Sequence, residues 1–276
     1  QHIVVPKALR HNLVPISSRW GHFLENTKNK GKGTYQDRRV EKFEDFIASI
    51  KTGVKPNLVF SHLLLPHVPF VYFPGGPTYN LRVESAADSE GVWGFDRVNA
   101  AHSYRRHILQ VMAVDHLLGL LFDRLEKLDL FDDAAIIITS DHGATFRPGL
   151  PRRRFFKGNE ADIMRVPLFF KNPGQKVGEI NDCLAQSIDI FPTLVSVLEC
   201  NPGWEFDGLD LQGAAIENRV ELDFLDQDNR VELKFDPAIL KDMNEIIQWK
   251  KDILVKKVES HDCLRMVIHT VCWVKA

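Results

Sequence analysis

Apolar residues recur with helical spacing in two parts of the chain. The longer pattern runs through Ser103–Asp133, where the apolar positions lie three, four or more residues apart at Ile108, Met112, Leu118, Leu121, Leu125 and Leu128. The shorter pattern occupies Arg39–Ile50 and puts on one face Val40, Phe43, Phe46, Ile47 and Ile50. The sequence therefore predicts an amphipathic helix in each of these segments.

Three apolar runs predict buried strands, because they are short and bounded by turn residues. They are Asn57–Leu65, which Pro66 ends, Ala134–Thr139 and Val166–Lys171. A further helix is predicted to start near Pro192, in the segment SIDIFPTLVSVLEC. Helices and strands alternate in this order, which favours an α/β layer fold with a mostly parallel sheet.

Three regions differ in character along the chain. Residues 1–38 are a basic, irregular lead-in that contains the Gly- and Lys-rich piece ENTKNKGKGTYQD. Residues 39–211 carry the α/β pattern. Residues 212–276 are predicted to form a small α+β appendage, in which the similar strands RVELDFL and RVELKFD make a hairpin around residues 226–229 and a Trp-containing helix follows.

Composition narrows the class of protein only modestly. Thirty-five Lys and Arg against thirty-seven Asp and Glu give a formal net charge of -2, which gives no reason to expect a nucleic-acid partner. None of the four cysteines belongs to a CxxC pair, so the sequence does not favour a zinc ribbon. Two disulfides and free buried thiols both remain open. Because the chain begins at Gln1, we expect it to be a piece of a longer protein.

Asp141 and His142 stand directly after the predicted strand Ala134–Thr139. Ligand sites of open α/β sheets form outside the carboxyl ends of the strands, and carboxylate and imidazole both bind Zn²⁺ or Mn²⁺. Gly143 lets the backbone bend so that both side chains can face one ion. Two interpretations stay open: a pair of metal ligands, or a turn-capping Asp141 beside an ordinary loop histidine.

His67 lies in the turn Pro66-His67-Val68-Pro69, at the end of the predicted strand Asn57–Leu65. The two prolines stiffen the turn, and neighbouring parallel strands would bring His67 to the same sheet edge as Asp141 and His142. One interpretation is a substrate-contacting or proton-donating group. The other is a histidine that satisfies loop carbonyls.

A basic segment follows the Asp-His pair. Five positive charges precede the first acid, Glu160, at Arg147, Arg152, Arg153, Arg154 and Lys157. Guanidinium groups match the oxygens of phosphate and sulfate, so the segment predicts a clamp for an anionic group. A solvated loop is the alternative, and it is preferred for at least three of the five. Arg147 and Arg152 are the predicted substrate ligands, and Asn159 is predicted to brace the loop.

Several motifs in a fixed order resemble the sulfatase-like domain of the alkaline phosphatase superfamily, in particular the sulfatase-like proteins of the bacterial cell envelope and the related phosphoethanolamine and phosphoglycerol transferases. They are SHLLLPHVPFVYFPGG, QVMAVDHLLGLLFDRLEKLDLFDDAAIIITSDHG, NEADIMRVPLFFKNPGQ, SIDIFPTLVSVL and FDGLDL. The resemblance implies an α/β/α sandwich. It also implies an extracytoplasmic location at the cell envelope, with a membrane tether upstream of this chain.

The resemblance also implies roles for individual residues. Asp141 and His142 match paired ligands of a divalent ion (Zn, Mn or Ca), and His67 matches a histidine that lies near the substrate in relatives. Asp189 matches a residue that caps or braces a helix start. The implied substrate is a phosphate or sulfate ester, carried on a lipid or a glycan.

One expected part of the family's apparatus is missing from the sequence. No C/S-x-P-x-R motif, which supplies the sulfatase nucleophile, occurs here. We therefore expect the nucleophile upstream of Gln1 and expect the chain alone to be inactive. Two hypotheses follow: a metal-dependent hydrolase or transferase, or a non-catalytic member that serves as an envelope interaction or assembly domain.

Overall fold

The computed structural model describes most of the region between Arg38 and Asp252, namely residues 38–53, 57–79, 91–95, 97–200, 203, 205–226, 231–235 and 247–252. These residues fall into two compact units. The strand unit comprises the described residues within 134–141 and 169–237, and the site unit comprises those within 37–133, 142–168 and 238–276. No helix in the described ranges is long and apolar enough to cross a membrane.

Helices α1 (Arg39–Ser49) and α2 (Arg97–Lys127) form the core of the site unit, together with the short helix α3 (Glu160–Met164). The apolar face of α1 packs against α2 in a cluster that also includes Leu65 and Tyr72; the helical members are Val40, Phe43, Ile47, Ala113 and Leu117. Both predicted amphipathic helices are therefore confirmed. The second begins six residues earlier than the apolar repeat indicates and ends before Leu128.

A second cluster of buried side chains packs beside the first turns of α2. Its members are mostly aromatic and come from separate segments: Phe70, Trp93, Ala100, Tyr104, Ile108 and Phe146. Trp249, from the helical segment of residues 247–252, packs against this cluster. The predicted Trp-containing helix is thus present, and it belongs to the site unit.

The strand unit contains strand β1 (Ile136–Thr139), all but the first residue of strand β2 (Leu168–Lys171), helix α4 (Ile190–Val197), and strands β3 (Leu222–Asp226) and β4 (Val231–Phe235). β1 and β2 pair in one two-stranded sheet, and β3 and β4 pair antiparallel in another, with Leu222 opposite Phe235. The predicted strands at 134–139 and 166–171 and the hairpin are confirmed. The α/β fold class is confirmed as well.

Asp189 braces the start of α4. Its carboxylate is fully buried and accepts two hydrogen bonds from Arg219, at 2.5 and 2.8 Å, and one each from the backbone amides of Gln186 and Leu209. Four donors satisfy a charge that would otherwise be costly to bury. The bracing role predicted for Asp189 is therefore confirmed.

The buried strand predicted over Asn57–Leu65 is wrong for the part of the chain that the structure describes. The segment is extended but forms no ladder, and the side chains of Leu58 and Phe60 are 81% and 82% exposed. A strand exists only where its amides and carbonyls pair with a neighbour, and no described strand lies alongside it. Its last residue, Leu65, joins the core, and Leu63 packs against the same cluster.

Candidate anion-binding site

The turn that carries His67 is held by its backbone. The guanidinium of Arg39 donates to three carbonyls of the turn, those of Leu64 at 2.8 Å, His67 at 2.5 Å and Pro69 at 2.7 Å. The amide of Gln110, which is fully buried in α2, donates a second bond to the His67 carbonyl at 2.7 Å. These bonds fix the turn without using the imidazole.

The imidazole of His67 contacts Arg153. Its Nδ1 lies 2.8 Å from the Val68 carbonyl, and its Nε2 lies 3.3 Å from Nη1 of Arg153. Because a carbonyl only accepts and a guanidinium only donates, Nδ1 carries the proton and Nε2 is the acceptor. Loss of solvation lowers the pKa of His67, and the charges of Arg153, Arg152 and His142 lower it further, although the bond to Val68 opposes them. The described geometry is that of the neutral ring.

Arg152 and Arg153 place two cationic groups beside His67. Partial burial lowers the pKa of Arg152, and the neighbouring charge of Arg153 lowers it further. Asn159 holds this loop in place, since its buried side-chain amide donates to the carbonyls of Pro151 at 3.0 Å and Arg154 at 2.9 Å. The bracing role predicted for Asn159 is confirmed.

Arg147 makes different contacts from Arg152 and Arg153. Its Nε lies 3.2 Å from a carboxylate oxygen of Asp162, and its Nη1 donates to the Gly158 carbonyl at 3.2 Å. The side chain of Asp162 is 1% exposed, and its carboxylate also accepts a hydrogen bond from the Thr145 hydroxyl at 2.9 Å. Substrate binding by Arg147 and Arg152 remains a prediction, and the structure adds Arg153 as the arginine that reaches His67.

Gly143, which follows the Asp-His pair, is packed against α3 within the site unit. The Gly143 amide donates to the Ile163 carbonyl at 2.8 Å, and a Cβ at Gly143 would lie only 2.0 Å from the Asp162 carbonyl oxygen. The glycine is therefore required by close packing of two backbones. The bend itself does not require glycine, because the φ angle of Gly143 is not positive. His142 Nδ1 lies 2.7 Å from the Gly143 carbonyl, so Nδ1 carries the proton and the acceptor lone pair is on Nε2.

The predicted metal pair has donor chemistry that suits a divalent ion. An imidazole whose Nδ1–H is bonded to a carbonyl is the tautomer that ligates through Nε2, and Asp141 supplies a carboxylate. Asp141 belongs to the strand unit and His142 to the site unit. Across the described ranges, no group of three or more His, Cys, Asp or Glu side chains could hold a metal ion. The two residues fit part of a ligand set, since protein sites use three or four.

Four further residues shape the site and could not be assigned from the sequence pattern. They are Arg39, Gln110, Asp162 and Lys250, whose ammonium lies 3.0 Å from the second carboxylate oxygen of Asp162. Gln110 alone left a signal, because a polar residue three positions before Ala113 and seven before Leu117 falls on the buried face of α2. The other three are charged residues in segments far apart along the chain.

An α/β domain in which a histidine on one braced turn contacts an arginine on a second braced loop belongs to a class of protein suited to bind a tetrahedral anion. The sulfatase family model matches residues 12–200, well over half of the chain. The chain therefore belongs to the sulfatase family.

Individual relatives match shorter stretches. The chain is 31% identical over 121 residues to the multifunctional alkaline phosphatase superfamily protein PehA of Trinickia caryophylli, covering 41% of this chain and 23% of that protein. It is 34% identical over 85 residues to arylsulfatase K of Mus musculus, covering 30% and 15%. The phosphonate monoester hydrolase structure of Agrobacterium radiobacter aligns with a TM-score of 0.48 at 18% identity, covering 79% of this chain and 60% of that one. The chain thus spans a minor part of the curated relatives' length.

Proposed function

We propose that this protein is a hydrolase or transferase that acts on a sulfate or phosphate ester. The observation that carries the proposal is the contact between His67 and Arg153, with Arg152 beside it, on a turn and loop that are both braced. Guanidinium groups bind the oxygens of sulfate and phosphate through paired hydrogen bonds. Membership of the sulfatase family and the printed name of arylsulfatase K support an anionic ester as the substrate.

Each group would have a distinct part in the reaction. Arg152 and Arg153 would hold the non-bridging oxygens of the ester and offset the charge that develops on them. When such an anion engages Arg153, the Nε2 of His67 exchanges a cationic neighbour for an anionic one. The ring can then take up a proton and deliver it to the leaving oxygen, a step that general acids accelerate about 10²–10⁴-fold.

Asp141 and His142 would hold a divalent ion, Zn, Mn or Ca, together with ligands from elsewhere in the protein. When bound, such an ion polarises the ester and lowers the pKa of a hydroxyl nucleophile. We place the nucleophile upstream of Gln1, because the sulfatase motif is absent from residues 1–276. The extracytoplasmic location, the upstream membrane tether and the lipid or glycan carrier are proposed only from the resemblance to envelope proteins.

The test of the proposal is an assay of the protein in its longest natural form, with an aryl sulfate and an aryl phosphate ester. We expect turnover that a chelator abolishes and that the Asp141→Ala/His142→Ala double variant lacks, with about one divalent ion per chain in the wild type by elemental analysis. Asp115 and His116 provide a matched control, because they form an exposed Asp-His pair on α2. Equal metal content in the Asp141→Ala/His142→Ala variant and in the control variant Asp115→Ala/His116→Ala would contradict the metal assignment. Absence of turnover with metal bound would favour the non-catalytic hypothesis.

A second test asks whether His67 senses a bound anion. We expect the pKa of His67, followed by NMR of its ring, to lie below the ordinary value without ligand and to rise when inorganic sulfate is added. The first effect follows from lost solvation and the nearby arginines, and the second from the negative charge of sulfate. A His67→Gln variant identifies the signal. A pKa that does not move at saturating sulfate would contradict the role of His67 at the anion site.

A further inference from the structure

Asp162 joins three separate parts of the site unit. Its carboxylate, 1% exposed, contacts the Thr145 hydroxyl at 2.9 Å and Arg147 Nε at 3.2 Å through Oδ2, and Lys250 Nζ at 3.0 Å through Oδ1. These partners lie on the loop after His142 and on the helical segment 247–252. A carboxylate so deeply buried needs cations and donors at both oxygens. Oδ1 accepts no hydrogen bond within the described residues, so the ion-pair contact with Lys250 is what offsets its charge.

The contacts of Asp162 lead directly to the arginine loop. Thr145, which is fully buried, donates from its hydroxyl to Asp162, accepts at that hydroxyl from the Arg147 amide at 3.2 Å, and donates from its own amide to the Arg152 carbonyl at 2.9 Å. The position of the Asp162 carboxylate therefore fixes the backbone at Arg147 and at Arg152. Arg153, which reaches His67, is the next residue.

Lys250 forms an ion pair with Asp162, and its neighbour Trp249 packs against the aromatic cluster. The side chain of Lys250 is 29% exposed, and the adjacent Trp249 packs on Tyr104 with ring centroids 6.3 Å apart. His107 does not supply a competing charge, because burial, reinforced by the charge of Lys250, lowers its pKa to about 4. Burial and the charge of Asp162 raise the pKa of Tyr104 to about 12, so its hydroxyl also stays neutral.

We propose that Lys250 is a positioning residue for the anion site, and that residues 247–252 are therefore part of that site. The inference rests on the proposed function. With Lys250 present, Oδ1 of Asp162 is neutralised, and Oδ2 remains shared by Thr145 and Arg147. Without Lys250, the Arg147 guanidinium, which already contacts Oδ2, turns toward Oδ1. This movement breaks its bond to Gly158 and shifts the loop that carries Arg152 and Arg153.

The experiment compares three variants of the protein in its longest natural form. Lys250→Met removes the charge and keeps much of the stem, Lys250→Arg keeps the charge, and Lys251→Met is the matched control on the exposed neighbouring residue. By calorimetry, we expect Lys250→Met to weaken the binding of inorganic sulfate about tenfold, the scale of one lost charge-assisted contact. We expect Lys250→Arg and Lys251→Met to bind sulfate within about twofold of wild type on the same scale.

The second readout is the pKa of His67, measured by NMR without any anion. If Lys250 positions the loop, the lowering caused by Arg153 and Arg152 is reduced in Lys250→Met, and the pKa of His67 rises, while Lys251→Met leaves it unchanged. This readout decides the inference even if wild type binds no sulfate, an outcome that would contradict the proposed function itself. An unchanged His67 pKa in Lys250→Met overturns the inference. Loss of sulfate binding in Lys250→Arg equal to that in Lys250→Met also overturns it, because the charge would then be irrelevant.

Discussion

Replacement of His67 by alanine is expected to reduce turnover of an aryl sulfate or phosphate ester by about 10²–10⁴, as for the loss of a general acid, with little change in melting temperature. The fold should tolerate the change because the turn is held by its carbonyls. Arg39 bonds to Leu64, His67 and Pro69, and Gln110 bonds to His67, all through backbone oxygens. The only bond within the turn that the ring itself makes is to the adjacent Val68 carbonyl.

His62→Ala is the matched control for this experiment. His62 is also exposed and lies five residues earlier. Steady-state kinetics and thermal melts of both variants separate the alternatives. A large fall in melting temperature for His67→Ala at unchanged specific activity would mean that the imidazole is structural, as the loop-carbonyl interpretation of the sequence holds.

The pH dependences of kcat/KM and of kcat, taken together, show whether a bound anion raises the pKa of His67. Its pKa is lowered, so the protonated fraction of the unliganded ring falls as pH rises through a value below that of an ordinary histidine. If the protonated ring is required, kcat/KM falls across that range, because kcat/KM reports the pKa of the free enzyme. If an anion that engages Arg153 raises the pKa of the ring in the complex, kcat is retained to higher pH than kcat/KM.

Local patterns in the sequence were sufficient for much of the fold. The apolar repeat from Val40 to Ile50 predicted α1, because its residues recur at helical spacing and so fall on one face of a helix. That face is the one the structure buries. The hairpin was predictable because its strands and turn are contiguous. The segment at Leu58 and Phe60 failed for the opposite reason: its composition suits a strand, but a strand also needs a partner, and composition does not encode where that partner lies.

The candidate site was only partly predictable, because its contacts join distant positions. The family motifs led to His67, Asp141 and His142, yet His67 and Arg153 are separated by 86 residues, and Lys250 is farther still from His67. Within the basic run, nothing in the sequence distinguishes Arg153 from Arg147. The difference lies in their partners. Arg147 is paired with the buried carboxylate of Asp162, whereas Arg153 contacts the imidazole of His67.

Replacement of Gly143 by alanine is expected to destabilise the site unit by about 1–3 kcal/mol, the range for forcing extra atoms into a packed position. The added Cβ would lie 2.0 Å from the Asp162 carbonyl oxygen and 3.2 Å from that of Ile163. Both neighbours are backbone atoms of α3, which cannot rotate away as a side chain can. Relief of the clash would also stretch the bond of 2.8 Å from the Gly143 amide to Ile163. Urea unfolding followed by circular dichroism measures the change.

Gly119→Ala provides a control with the opposite expected sign. Gly119 lies in the interior of α2 with nothing within 4 Å of an added Cβ, so alanine should raise stability by about 0.5–1 kcal/mol through helix propensity. Equal stability changes in the two variants would contradict the packing argument. Gly143→Ala should also displace the adjacent His142, so its metal content should fall, whereas that of Gly119→Ala should not. Retention of the ion at full occupancy in Gly143→Ala would show that the turn is not what orients the metal ligand.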